Sequence, residues 1–127
     1  MFFDNEGTAP DSIAGLEDYP SIRIVRLRGP IDRSTVADIE RFRKWVAKHK
    51  GFKLKHVLLD FKLVTQVDTS AVAEILQEVS ELKTGNFRLG AVHLSETVRS
   101  LFDVLRVSDI IRVYPNESEA VDDLTRK

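Results

Sequence analysis

The run Val57-Leu58-Leu59-Asp60 is almost wholly apolar, and after a short connection it gives way to an amphipathic run that begins at Ala71. That succession limits the fold more than any other feature of the chain. An unbroken apolar strand is expected where helices cover both faces of a parallel sheet. In the second run, Val72, Ile75, Leu76, Val79 and Leu82 recur at helical spacing. The pattern predicts a helix from just after Asp68 to about Lys83, with Gly85-Asn86 as its stop.

The same alternation recurs along the chain. Ser12 to Leu16 reads as a short first strand, and Pro20 breaks it. Ile22-Arg23-Ile24-Val25-Arg26-Leu27 is rich in β-branched residues and reads as a strand, ended by Gly29-Pro30. A helix follows with Val36, Ile39, Phe42 and Val46 on one face. Asp32 or Ser34 is its N-cap, and Gly51 closes it. Phe87 to His93 is a further strand. Ser95 opens a helix with Val98, Leu101, Phe102 and Leu105 inward. Ile110 to Val113 is a short strand ended by Pro115. Asn116 and Glu119 form a capping box for a last helix with Ala120, Val121 and Leu124 inside. Strands alternating with helices imply an α/β domain. We expect one domain over residues 12–127, with a mostly parallel sheet of four to five strands and about four helices. Residues 1–11, acidic and carrying Gly7 and Pro10, are expected to be a flexible leader to it.

The chain has 127 residues, 43% hydrophobic and 31% charged, with a formal net charge of −1. That balance gives no bulk attraction to nucleic acid or to anionic membrane. The absence of cysteine excludes disulfides, thiolate catalysis and Cys-ligated zinc. The N-terminus lacks the basic and apolar regions of a signal peptide. No apolar run approaches the ~20 residues of a membrane span. A cytoplasmic protein without membrane insertion is expected.

In open α/β sheets, function gathers at the carboxyl ends of the strands. Asp32, Asp60, Asp68, Thr69, Ser70 and Ser95 are expected at or near that edge. Asp68-Thr69-Ser70 opens a helix, where partial positive charge and unpaired N–H groups suit an anion. A hydroxyl there can carry a phosphate as a switch; equally, a serine at a helix start can be a cap. Phosphate-binding Gly-rich loops are absent, as is a nucleophile elbow around Ser70. His49, His56 and His93 lack metal-ligand spacing. His56 is expected on the opposite edge from Ser70, and His93 at the end of its strand. Asp32, Asp60 and Asp68 could converge on Mg²⁺; the favoured reading has Asp32 and Asp68 capping helices and Asp60 accepting loop N–H bonds. The basic cluster Arg41, Arg43, Lys44, Lys48, Lys50, Lys53 and Lys55, with Trp45 inside it, reads as a solvated helix face. No cofactor, metal or direct nucleic-acid partner is expected, and no enzymatic activity.

The order of these segments resembles the STAS domains, and within them the bacterial anti-sigma-factor antagonists. The resemblance rests on Leu27-Arg28-Gly29-Pro30-Ile31-Asp32, Val57-Leu58-Leu59-Asp60-Phe61, Val67-Asp68-Thr69-Ser70-Ala71, Leu101 to Leu105, Ile110 to Tyr114, and Asn116 to Ala120. It implies a regulatory protein that binds an anti-sigma factor which is also a serine kinase. It further implies phosphorylation at Ser70, less readily at Thr69, that abolishes binding, and a cognate serine phosphatase that restores it. The implied partner surface is Asp32, Asp68, Thr69, Ser70 and Ala71. Ala71 stands where the family commonly has Gly, and Ala suits a helical first turn better. The alternative within the resemblance is a scaffold or accessory domain, in a signalling or transport complex, without reversible phosphorylation. A weaker alternative is a nucleotide- or small-ligand-binding domain using the same helix start.

Overall fold

The computed structural model describes residues 13–48, 56–80, 88–107 and 109–126. The elements run β1 (Ile13–Asp18), β2 (Ile22–Ile31), α1 (Arg33–Lys48), β3 (His56–Val67), α2 (Thr69–Ser80), β4 (Leu89–Val92), α3 (Glu96–Leu105), β5 (Arg112–Val113) and α4 (Glu117–Thr125). The sheet has the order β1-β2-β3-β4-β5. β1 pairs antiparallel with β2, and every later pairing is parallel. The expected single α/β domain, with a mostly parallel sheet and four helices, is what forms. The expected leader 1–11, the stops at Gly51 and Gly85-Asn86, and most of the basic cluster lie outside the described residues, as do the side chains of Ile39, Phe42, Trp45, Val46 and Val79.

Two strands are longer than the sequence pattern suggests. β2 continues through Gly29-Pro30 to Ile31, and β3 continues past Asp60 to Val67. The extensions pair with each other, Arg28 opposite Leu63 and Ile31 opposite Val67. β1 pairs with β2 only up to Leu27. Among the described residues, none of β1 therefore needs the missing N–H of Pro30, a position that a strand proline tolerates. Gly29 has φ +67°, a conformation costly for residues with a Cβ. It coincides with a register shift between Gly29 and Pro30, as expected of a bulge.

The sheet carries an apolar core on each face. On one side Val25, Leu27, Leu59, Phe61 and Ala91 meet Val36 of α1, Val72, Ile75 and Leu76 of α2, and Val98 and Phe102 of α3. On the other, Ile22, Ile24, Leu58 and Val92 meet Tyr114 and α4 through Ala120 and Leu124. The alternation of side chains along a strand divides β2 and β3 between the two cores. Gly90 makes the second core possible. A Cβ there would lie 2.7 Å from Cε2 of Tyr114 and 3.2 Å from Cδ1 of Leu124. At the far end of α4, the Arg88 guanidinium donates to the carbonyls of Asp123, Leu124 and Arg126 at 3.0–3.1 Å. It thereby satisfies carbonyls that a helix C-terminus leaves unpaired.

Candidate functional site

The register fixes the site. With Ile31 opposite Val67, the chains leaving β2 and β3 enter α1 and α2 side by side. The Asp68 amide donates to the Ile31 carbonyl at 2.9 Å and ties the two turns together. Each turn closes in the same way. Asp68 Oδ1 accepts from the Ala71 amide at 3.0 Å and from the Ser70 hydroxyl at 2.8 Å. Asp32 Oδ1 accepts from the Ser34 amide at 3.0 Å and from the Ser34 hydroxyl at 2.7 Å. The first α-helical bonds start from the same residues, Val36 to Asp32 and Val72 to Asp68. Asp32 and Asp68 are thus the caps. Between Asp32 and Ser34, the two candidates for α1, the aspartate has the role.

These bonds set the charge of the site. The Ser70 hydroxyl, followed by the Ala71 amide, holds the Asp68 carboxyl below its ordinary range, and Arg33 adds to the effect. The hydroxyl and amide of Ser34 do the same for Asp32, against repulsion from Asp68. Two ionised carboxylates therefore flank Ser70 at neutral pH. Asp68, Thr69 and Ser70 are exposed and Asp32 half-buried. Ala71 is only 4% exposed and belongs to the core. The structure brings Asp32, Asp68, Thr69 and Ser70 to one surface and turns Ala71 inward. Its methyl therefore leaves the approach to Ser70 open. Arg33, the first residue of α1, crosses to form an ion pair with Glu74 of α2.

Asp60 lies elsewhere. It pairs with Val92 in mid-sheet, far from the end of β3, and its side chain is on the α4 face at 7% exposure. There it accepts from Arg26 Nη1 at 2.8 Å, from His93 Nδ1 at 2.8 Å and from the Lys62 amide at 2.9 Å. Arg26 also binds Glu117 of α4, at 2.8 and 3.2 Å, and Glu17 of β1. Burial works to raise the Asp60 carboxyl; the bonds from His93, Lys62 and Arg26 outweigh it and leave the group below its ordinary range. The expectation that Asp60 shares an edge with Asp32 and Asp68 is therefore corrected; the favoured reading of the three carboxylates, two caps and an acceptor of a backbone N–H, is the one that forms, and the alternative of convergence on Mg²⁺ does not. Asp60 faces the opposite side of the sheet. No group of three metal-ligating side chains occurs among the described residues. Sequence reading missed the Arg26–Asp60–Glu117 network; its one visible signal was arginine inside an otherwise apolar strand. His93 follows β4 at φ +62°, with its ring on Asp60. His56 opens β3 and accepts the Arg88 amide at 2.9 Å through Nδ1, so neither ring is a base for Ser70.

A five-stranded, mostly parallel sheet with three helices on one face, one on the other, and twin capped turns at the ends of β2 and β3 is the architecture of a STAS domain. The sequence profile of the STAS domain matches residues 15–120, and the chain belongs to that family. An anti-sigma factor antagonist from Mycobacterium paratuberculosis superposes with a TM-score of 0.71 at 19% identity, over 94% of this chain and 99% of that one. The Bacillus cell fate determinant SpoIIAA in its phosphorylated form gives 0.64 at 22% identity, over 88% and 98%. The unphosphorylated form of the anti-sigma factor antagonist SpoIIAA gives 0.64 at 20% identity, over 88% and 96%. At these identities the likeness is one of fold. Among the described residues, no helix is long and apolar enough to cross a membrane.

Proposed function

We propose that this chain is an anti-sigma-factor antagonist: a non-enzymatic cytoplasmic regulator that binds an anti-sigma factor with serine kinase activity and is switched off by phosphorylation of Ser70. The observation that carries the reading is the division of labour at the start of α2. Asp68 caps the helix, so the exposed Ser70 hydroxyl is not needed as a cap acceptor. In the reaction, Ser70 Oγ attacks the γ-phosphorus of ATP bound to the partner. The hydroxyl proton passes to a base of the kinase, and ADP leaves. A cognate serine phosphatase would reverse the modification by hydrolysis. The partner surface comprises Asp32, Asp68, Thr69 and Ser70, with Ala71 beneath it supporting the turn.

A phosphate adds about −1.5 to −2 charge beside two carboxylates that are already ionised. A helix N-terminus tolerates this charge, so the fold persists. A partner docked on the same surface meets like charge and added desolvation. Incubation with ATP and the neighbouring kinase, read by peptide mass spectrometry, is expected to show one phosphate, on Ser70. No phosphate with a kinase proven active elsewhere would instead support an accessory STAS domain. In binding assays Ser70→Ala is expected to retain the partner. Ser70→Asp should lose about tenfold or more in affinity, about 1.4 kcal/mol. Equal affinity for protein phosphorylated at Ser70 and for unmodified protein would sink the switch.

A further inference from the structure

We infer that Arg33 is the internal counter-charge for a phosphate on Ser70: on modification its guanidinium leaves Glu74 and pairs with the phosphate. The inference rests on the phosphoswitch reading and names how that site is regulated from within. Three observations carry it. Arg33 is the first residue of α1, and its turn is tied to the Ser70 turn by the Asp68 amide bond to Ile31. Its side chain already crosses to α2, where it pairs with Glu74. Glu74 lies four residues after Ser70, so one helical turn, ~6 Å of rise, separates them on the same face.

The present pair is easily exchanged. Arg33 is 75% exposed and Glu74 43% exposed at the side chain, and such surface pairs contribute little. A phosphate offers a larger charge and three acceptor oxygens, which the planar guanidinium fork matches in bidentate fashion. Arg33 already acts electrostatically on Asp68, the hydrogen-bond partner of Ser70. The charged groups around the phosphate are then Asp32 and Arg33 at the start of α1, and Asp68 and Glu74 on the α2 side. Among the described residues, Arg33 is the cation of the set. The exchange would expose the Glu74 carboxylate and move an arginine across the docking surface. The phosphorylated surface would therefore differ from that of Ser70→Asp, whose single carboxylate is a weaker competitor for the fork.

The test uses full-length protein with phosphoserine placed at position 70 during translation, so it needs no kinase. Phosphorus NMR follows the second ionisation of the phosphate, which is ordinarily near pH ~6. Arg33→Gln is expected to raise that ionisation by about half a unit, because a neighbouring cation favours the dianion. Glu74→Gln, which removes the competitor, is expected to leave it unchanged or lower it. Amide spectra of both variants verify the fold. An Arg33→Gln titration that overlays the wild type overturns the inference. Failure of the kinase to modify Ser70 would instead strike the proposed function and leave this titration readable.

Discussion

At the scale of single residues, the most consequential side chain outside the candidate site is Asp60. It receives Arg26, His93 and the Lys62 amide at once, and so ties β2, β3 and the turn after β4. Removing one partner of a buried ionic group leaves the other uncompensated. Arg26 retains 27% exposure, which moderates the loss, and Asp60→Ala is expected to cost about 2 kcal/mol. The pH dependence follows from the lowered carboxyl. Its contribution is complete above the ordinary carboxylate range and disappears as pH falls through the depressed folded value. Urea denaturation of wild type between pH 7 and 3 should show that acid loss, and Asp60→Asn should flatten it. An unchanged acid limb in Asp60→Asn would assign the loss to other carboxylates.

At the scale of elements, α4 is held at both ends. Glu117 in its first turn binds Arg26, Arg88 receives its last carbonyls, and Tyr114 beneath it donates to Asp123 Oδ2 at 2.5 Å. Burial, then the Asp123 bond, pushes the Tyr114 phenol up to about 12. The ring lies over Gly90, where there is no room for a methyl. Gly90→Ala is expected to destabilise by about 1–3 kcal/mol, as overpacking does, and to displace the ring. Phenolate absorbance is the check: the Tyr114 transition should fall toward the ordinary phenol range. A variant of wild-type stability with an unmoved transition would show that α4 yields freely. The capping box at Asn116 was legible because it is local: Asn116 Oδ1 accepts the Glu119 amide at 2.9 Å within one turn. The lengths of β2 and β3 were not. Gly29-Pro30 reads as a terminator unless it is known that β3 runs on alongside it, with Pro30 opposite Gln66 and Ile31 opposite Val67.

At the scale of the whole molecule, one sheet divides two cores, and β2, β3 and β4 contribute to both. Leu58 lies under α4 while its neighbour Leu59 faces the other three helices. The cores are therefore joined through shared strands and should melt together. Leu124, 1% exposed, is the largest fully buried side chain of α4. Leu124→Ala is expected to lose about 2–5 kcal/mol, with transitions followed by circular dichroism and by phenolate absorbance still coincident. Separation of the two curves would show that the α4 face unfolds as its own unit.

The sequence by itself determined the α/β alternation, the existence of nearly every element, and the caps at Ser95 and Asn116; at α1 and α2 it narrowed the cap to an aspartate or a nearby serine. All of these depend on periodicity or on bonds between a side chain and a backbone group two or three residues away. Only the tertiary structure decided that Asp60 turns from Asp68 to join Arg26 and His93, that Ala71 points into the core, and that Arg33 reaches Glu74. Arg26 and Asp60 are 34 residues apart, and Arg33 and Glu74 are 41 apart. Strand register makes them neighbours, and register is set by the sum of many pairings and two cores rather than by any local pattern.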